Sequence, residues 1–357
     1  MAETVFILGA GASKEAGAPL MNEFLESAID VNKQLSDNQK KEHFKNVISN
    51  FTNLEKNSST KSYLNIENIE IMYGALEMAE LLGYFPSEAE VDISKLKTSL
   101  TVFITTTLEK TIKLSYSNGQ LKPPPAYSKL VKLITKINHV SGKNKCSVLT
   151  FNYDLCLDYA LKFNVISYDY FLDEGIKNNT VPLLKLHGSL NWIKCEECGT
   201  IHSLNVGNGV SQLHSDYKEG DYFNLNITKI LQGARAQSCC EKYRFSGLPL
   251  IIPPTWSKSL YHGNLKNVWS RAAKELADAE NIYIIGYSLP ESDSFFRYLF
   301  SLGTIGDIRI KRLWVFNPDD SDELKKRYSM LIGQGIESKV EFKKTGFLEA
   351  MIELLNE

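Results

Sequence analysis

Four short stretches of this chain carry residues suited to one kind of chemistry. Phe6 to Leu20 reads FILGAGASKEAGAPL, an apolar run that breaks into Gly9, Ala10, Gly11, Ala12 and Ser13. Leu149 to Asp154 (LTFNYD) offers Asn152 and Asp154, and Leu184 to Trp192 (LKLHGSLNW) offers His187 and Gly188. Tyr283 to Asp293 (YIIGYSLPESD) offers Gly286, Ser288 and Asp293. Glycine permits positive φ and removes the side chain that keeps a phosphate away from backbone N–H groups. An amide and a carboxylate can orient a sugar, and an imidazole moves protons near neutral pH. Taken singly, a His after a strand is commonly structural and an Asn before a helix commonly a cap. Together at strand ends they point to a nucleotide, with a dinucleotide pyrophosphate as the natural occupant of the glycine turn. The dehydrogenase fingerprint is not met. Lys14 stands where its third glycine belongs, and no acidic residue closes a second strand about 20 residues on.

Such residues must be brought together by a sheet. Thr4 to Leu8 predicts a buried strand ended by Gly9, followed by a helix from about Leu20 to Val31. From 30 to 121 the pattern turns helical (NIENIEIMYGALEMAELL, then ISKLKTSLTVFITTTLEKTI) with a polar link, EKNSSTKS, and it stops at LKPPPAY because Pro123 to Pro125 cannot continue a helix. Strands are then expected at 147–151, 183–186, 248–252, 282–285 and 313–316, with helices at 154–161 and 265–279. This alternation predicts an α/β fold: a Rossmann-like, mostly parallel sheet with helices on both faces. In such a sheet ligands sit beyond the carboxyl ends of the strands. The expected organisation is one domain over 1–357, with a helical insertion at 30–121 and a small loop-rich, cysteine-bearing module at 191–247.

Composition narrows the function class. With 357 residues, 43% hydrophobic, the chain can bury a real core. A formal charge of -2 gives no reason to expect direct nucleic-acid binding. No apolar run approaches the roughly 20 residues of a membrane span, and no secretory leader is visible, so a cytoplasmic location is expected. Six cysteines in a chain this long do not form a disulfide scaffold; in a reducing compartment they are free or metal-bound.

In this order the stretches resemble the sirtuin family. Its opening Gly-Ala-Gly-x-Ser is met by Gly9 to Ser13, its Ala-Gly-x-Pro by Ala16 to Pro19, and its Gln-Asn-x-Asp by Phe151 to Asp154. His187-Gly188 meets its His-Gly, and Gly286-Tyr287-Ser288 its late Gly-x-Ser. TFNYD, LHGSLNW and IIGYSLPESD together resemble one branch, the bacterial anti-phage proteins that destroy NAD. The resemblance implies an NAD glycohydrolase releasing nicotinamide and ADP-ribose, an antiviral effector that depletes NAD. It implies that Gly9, Ala10, Gly11, Ala12 and Ser13 hold the pyrophosphate, with Gly17 and Pro19 shaping a loop over the nicotinamide ribose. Asp154 holds the carboxamide, Asn152 positions ribose or water, and His187, followed by Gly188, is the general base. Gly286, Ser288 and Asn317 line the adenosine side. It also implies a homo-oligomer and a separately encoded partner, a HerA-type ATPase or another defence subunit.

The sequence departs from that family in three places. The zinc module of two Cys-x-x-Cys pairs is reduced to Cys195 and Cys198 plus the doublet Cys239-Cys240, with His202 or His214 available to complete a tetrahedron around a structural zinc. Where deacylases pair with an acyl-lysine peptide, this chain has LPLIIPPTWSK, and Pro253 and Pro254 lack the N–H donors for strand addition. Trp256 there either caps a small-molecule pocket or fills the core. After Pro19 the chain reads LMNEF rather than Asp-Phe-Arg. The alternatives are an NAD-dependent protein deacylase, or a non-catalytic sensor of NAD or ADP-ribose.

Overall fold

The computed structural model describes every residue except Met1, 59–63, 88–89, 142–144, 174, 176–178, 211–217, 253–258 and 306–308. His214, Pro253, Pro254 and Trp256 therefore lie outside the described residues.

Seven strands form the central sheet: β1 (Thr4–Leu8), β2 (Cys146–Thr150), β3 (Tyr168–Asp169), β4 (Val181–Lys185), β5 (Asn281–Ile285), β6 (Arg312–Phe316) and β7 (Val340–Lys343), in the order β7-β6-β5-β1-β2-β4-β3. Every pairing is parallel. The central strands TVFIL, CSVLT and VPLLK are buried at every position, the continuous burial of a sheet covered on both sides. Pro182 is tolerated in β4 because its partner is Asp169 of the short edge strand, while pairing to β2 starts only at Leu183. The β1-to-β2 and β4-to-β5 crossovers run in opposite directions across the sheet. Right-handed connection then places their helices, α6 (Pro125–Ser141) and α7 (Ser259–Ala277), on opposite faces. On the first face α6 packs against α9 (Phe347–Asn356); on the second α7 packs against α8 (Ser294–Gly303).

Strand β1 sits between β2 and β5, so the order reverses there and a crevice opens beyond its carboxyl end. The short α1 (Ala10–Lys14) leaves that point directly. A helical lobe follows, made of α2 (Phe24–Gln34), α3 (Asn38–Ser58), α4 (Ile69–Leu82) and α5 (Ile93–Thr111). Phe24, Phe44 and Phe103 meet inside it, with Phe44 and Phe103 4.7 Å apart. Asn68 caps α4 by accepting from Glu70 N at 2.9 Å, and Asp92 caps α5 by accepting from Lys95 N at 3.0 Å.

Three local expectations change. The first lobe helix starts at Phe24, after a 3-10 turn at Met21–Glu23, and runs to Gln34. The helical texture ends at Thr111, and Leu114–Ser117 pairs with Gln120–Lys122 in a hairpin. Its turn is Asn118-Gly119, with φ of 51 and 75, the positive pair that an Asn-Gly dipeptide favours. Leu250–Ile251 does not join the main sheet; it pairs antiparallel with Gly188–Ser189. Among the described residues no helix is long and apolar enough to cross a membrane.

Candidate active site

The glycine turn after β1 is shaped first by packing. A Cβ on Gly9 would lie 2.5 Å from Tyr287 Cα, and one on Gly11 would lie 2.8 Å from Gly286 Cα. Gly286 has φ +59, and a Cβ there would meet Ala12 N at 2.3 Å. Gly11 N donates to Gly286 O at 2.8 Å, and Gly9 N to Ile285 O at 3.0 Å. These three glycines let two strand-end turns press backbone against backbone. At Gly9 the φ is -106, so contact rather than a left-handed conformation excludes a side chain.

Behind this turn lies a closed polar network. Asn152 Nδ2 donates to Gly9 O at 2.8 Å and to Ser13 Oγ at 3.0 Å. Ser13 Oγ donates to Asp154 Oδ2 at 2.5 Å and lies 2.7 Å from the Tyr127 hydroxyl. Asp154 Oδ1 accepts from Cys156 N at 2.9 Å. Burial, then the Asp154 charge, pushes the Tyr127 phenol well above its ordinary range, so it stays a hydroxyl. Beneath Asp154, Lys185 Nζ donates to its carbonyl at 2.5 Å and to Asp158 Oδ2 at 3.1 Å; both side chains of that pair are 1% exposed. Lys185 was not among the residues singled out from the sequence, although a lysine inside VPLLKLHG is an anomaly that asks for a partner.

His187 follows β4 and meets Asp293, the residue just before α8. Its Nε2 lies 3.1 Å from Asp293 Oδ1, with both residues buried. The Tyr287 hydroxyl donates to Asp293 Oδ2 at 2.9 Å. Phe151 packs its edge geometry against the imidazole at 5.1 Å and stacks on Tyr287 at 4.2 Å. The His187 backbone is pinned as well: Ile252 N donates to its carbonyl at 2.8 Å, and Gly188, with φ +85, lies under Leu250, where a Cβ would be 2.2 Å from the carbonyl oxygen. Buried Leu289 carries φ 50, a strained backbone in the loop that leads from Tyr287 to Asp293.

These groups face one cavity of about 630 Å³. Asn152, Asp154 and His187 line it, as do Ala10, Gly11 and Ser13 from the glycine turn. Pro19, Gly286, Ser288 and Asn317 line it as well. Gly9, Ala12, Gly17 and Gly188 do not; they stand behind the wall. Gly17 has φ +100, and a Cβ there would lie 2.4 Å from Thr111 O, so it serves the packing of the chain against α5. Asn68 at the cap of α4, and Glu70 and Tyr73 within it, line the cavity too, as do Asp319 and Arg327. The sequence gives no local sign of the α4 contribution, because only the folding of the lobe brings it there.

Cys195, Cys198, Cys239 and Cys240 converge, their sulfurs all within 4.8 Å of one another. Cys195 and Cys240 are 3.9 Å apart, and Cys198 and Cys239 3.3 Å. A tetrahedral Zn–S distance of about 2.3 Å puts sulfurs roughly 3.8 Å apart, so the set fits a structural zinc. His202 is outside the group; its ring packs edge-on against Phe245 at 5.6 Å. Backbone N–H groups, chiefly that of Cys198, hold the Cys195 thiol down to about 6, while burial pushes Cys239 up to about 12.

No protein-family model and no curated protein sequence matches this chain. Among solved structures, a Sir2 homologue in complex with NAD is similar at 14% identity and TM-score 0.43, over 99% of this chain and 88% of that one. A mutant Sir2 homologue with ADP-ribose is similar at 12% identity and TM-score 0.41, over 99% and 90%. A Sir2 protein bound to a propionylated peptide is similar at 13% identity and TM-score 0.39, over 99% and 92%.

Proposed function

We propose that this chain is a sirtuin-like NAD glycohydrolase that cleaves NAD to nicotinamide and ADP-ribose. The observation that carries the reading is the convergence of Asn152, Asp154 and His187 on the cavity that also receives the Gly11 and Gly286 turns. In this reading the two turns take the pyrophosphate, Ser288 and Asn317 the adenosine, and Asp154 the carboxamide.

The glycosidic bond breaks with its electron pair passing to the ring nitrogen, so nicotinamide leaves neutral and needs no acid. The ribosyl cation is captured by water, whose oxygen bonds to the sugar carbon while its proton passes to His187. Asp293, 3.1 Å from Nε2, offsets the charge that His187 gains. Asn152, fixed to Gly9 and Ser13, holds the ribose or the water in place. The four cysteines would hold a structural zinc that would cross-link the 191–247 module and supply no chemistry at the cavity.

The biological role follows by the same resemblance: an antiviral effector in the cytoplasm, acting as a homo-oligomer with a separately encoded partner. Exposed Met78, Leu81, Leu82 and Tyr84 at the end of α4 support a contact surface on the helical lobe.

The test is incubation of the purified chain with NAD, quantifying nicotinamide and ADP-ribose, beside His187→Ala and Asn152→Ala. Wild-type turnover without any acylated peptide is expected, with each variant reduced by about two to four orders of magnitude. Turnover appearing only with an acetylated peptide establishes the deacylase instead. Tight NAD binding with no cleavage establishes a sensor or a chain that awaits its partner.

A further inference from the structure

Behind the cavity wall a chain of buried hydrogen bonds joins the segment that carries Asp154 to the segment that carries His187. It starts at Lys185 Nζ, which donates to the Asp154 carbonyl at 2.5 Å and to Asp158 Oδ2 at 3.1 Å. The Tyr170 hydroxyl donates to Asp158 Oδ1 and accepts from Asn191 Nδ2 at 3.0 Å. Asn191 Oδ1 in turn accepts from Ser189 Oγ at 2.7 Å, two residues past His187. The second Nδ2 hydrogen goes to Leu204 O at 2.8 Å, and Leu204 N returns a bond to Asn191 O at 2.8 Å. Lys185, Asp158, Ser189 and Asn191 are at most 1% exposed, and Tyr170 is buried as well.

Tyr170 is where the two halves of this chain meet. It follows the edge strand β3, and its ring meets those of Tyr168 and Trp192 edge-on, at 5.3 and 5.1 Å. Burial first, and then the Asp158 charge, pushes the phenol well above its ordinary range, so it stays a hydroxyl. Its one hydrogen goes to the carboxylate, which leaves the oxygen's lone pairs for Asn191. At the far end, Ser189 pairs with Leu250 in the short antiparallel ladder that also holds Gly188. The chain therefore ends on the backbone next to His187. A buried network with its donors and acceptors matched fixes one arrangement of the segments it joins.

We propose that Tyr170 is a positioning residue of the active site: its hydroxyl fixes the segment after β2 that carries Asp154 relative to the turn that carries His187. This rests on the reading of Asp154 and His187 as the groups that hold the carboxamide and take the proton. Tyr170 does not line the cavity, so it acts through those two residues and not on the nucleotide. Cleavage needs both groups in place at once, and a misplacement of about 1 Å far from the chemistry costs up to about a hundredfold in rate. The loss here is smaller, because the Asp154 carboxylate keeps Ser13 and the Cys156 N–H as partners. The glycine turns that take the pyrophosphate belong to β1 and β5, outside this chain of bonds, so the ADP-ribose part binds independently of it.

The test uses Tyr170→Phe in the full chain, which removes one oxygen and keeps the ring. Assayed well below its unfolding midpoint, the variant is expected to lose about tenfold in kcat for NAD cleavage, with affinity for ADP-ribose unchanged. Ser189→Ala cuts the same chain, so the double variant is expected to be no slower than the slower single one. Trp192→Phe loosens the packing around the Tyr170 ring but leaves the hydroxyl, and is expected to lower stability while keeping the wild-type kcat. An unchanged kcat in Tyr170→Phe overturns the proposal. So does an ADP-ribose affinity that falls in step with kcat, or a Trp192→Phe that loses as much rate, since either makes the role structural. Additive losses in the double variant overturn it too. A wild-type chain that binds NAD without cleaving it sinks the hydrolase reading alone. The extra affinity for NAD over ADP-ribose, which Asp154 supplies through the carboxamide, then decides: its loss in Tyr170→Phe upholds the positioning role, and its persistence overturns it. A chain that binds no NAD overturns both.

Discussion

Lys185 shows how much the site depends on a residue that takes no part in the proposed chemistry. It is buried in β4, pairs with Asp158, and donates to the Asp154 carbonyl, so it ties the end of β2 to the strand that carries His187. Tyr170 donates to the other Asp158 oxygen, which completes the pair. Replacing Lys185 with Met leaves the Asp158 charge buried without its cation, and a broken buried pair costs about 3–5 kcal/mol. Urea denaturation of Lys185→Met is expected to show a loss of that size; a loss near zero means that water reaches Asp158 and the pair is dispensable. Asn152, Asp154 and His187 were recognisable in the sequence because each follows a strand-like run directly. Asp293 was visible as a strand-end residue, but its contact with His187 was not, since more than a hundred residues of chain separate them.

At the scale of elements, the junction of the β1 and β5 turns constrains Gly286 twice, by conformation and by contact. Its φ is +59, and a Cβ there would press on Ala12 N at 2.3 Å, an atom of backbone that cannot swing aside. Gly83 closes α4 with φ +75 and has nothing within 4 Å, so it isolates the cost of conformation alone. Gly83→Ala is expected to cost about 1 kcal/mol in thermal or urea unfolding. Gly286→Ala adds overpacking of about 1–3 kcal/mol to that and weakens nucleotide binding by forcing the two turns apart. Equal costs for the two variants mean that the turns separate freely. The glycines were expected from the sequence for access to a phosphate; the structure adds that they are needed before any ligand arrives. The hairpin at Asn118-Gly119 was equally legible in principle, through its turn dipeptide, but the helical pattern up to Ile112 masked it.

Across the whole molecule, the cysteine cluster joins distant parts of the small module. Cys195 and Cys198 follow the strand Trp192–Lys194, Cys239 and Cys240 lie some forty residues on, and Cys195 also bridges in β fashion to Phe245. A metal there would cross-link a region whose described elements, such as Trp192–Lys194, Ile201–Ser203 and Ile227–Leu231, are short. Equimolar zinc is expected by elemental analysis of the purified chain, absent from Cys198→Ser. Chelation is expected to lower the unfolding midpoint by several degrees, with the module opening first in hydrogen exchange. Metal-free protein whose four thiols react freely with a thiol reagent excludes the cross-link.

The sequence alone determined the kind of fold and the end of the sheet where chemistry belongs. Continuous apolar runs such as TVFIL and VPLLK exist only where both faces of a strand are covered, and polar residues just past them can only gather at one edge. It also marked the cysteines that meet. Tertiary structure decided which groups touch. The contact between His187 and Asp293, the support of Asp154 by Lys185, and the arrival of Glu70 from α4 depend on the packing of segments far apart in the chain. No local period or propensity encodes such contacts. They follow from burying whole faces of helices and strands at once, with side chains placed by that burial rather than by their neighbours in sequence.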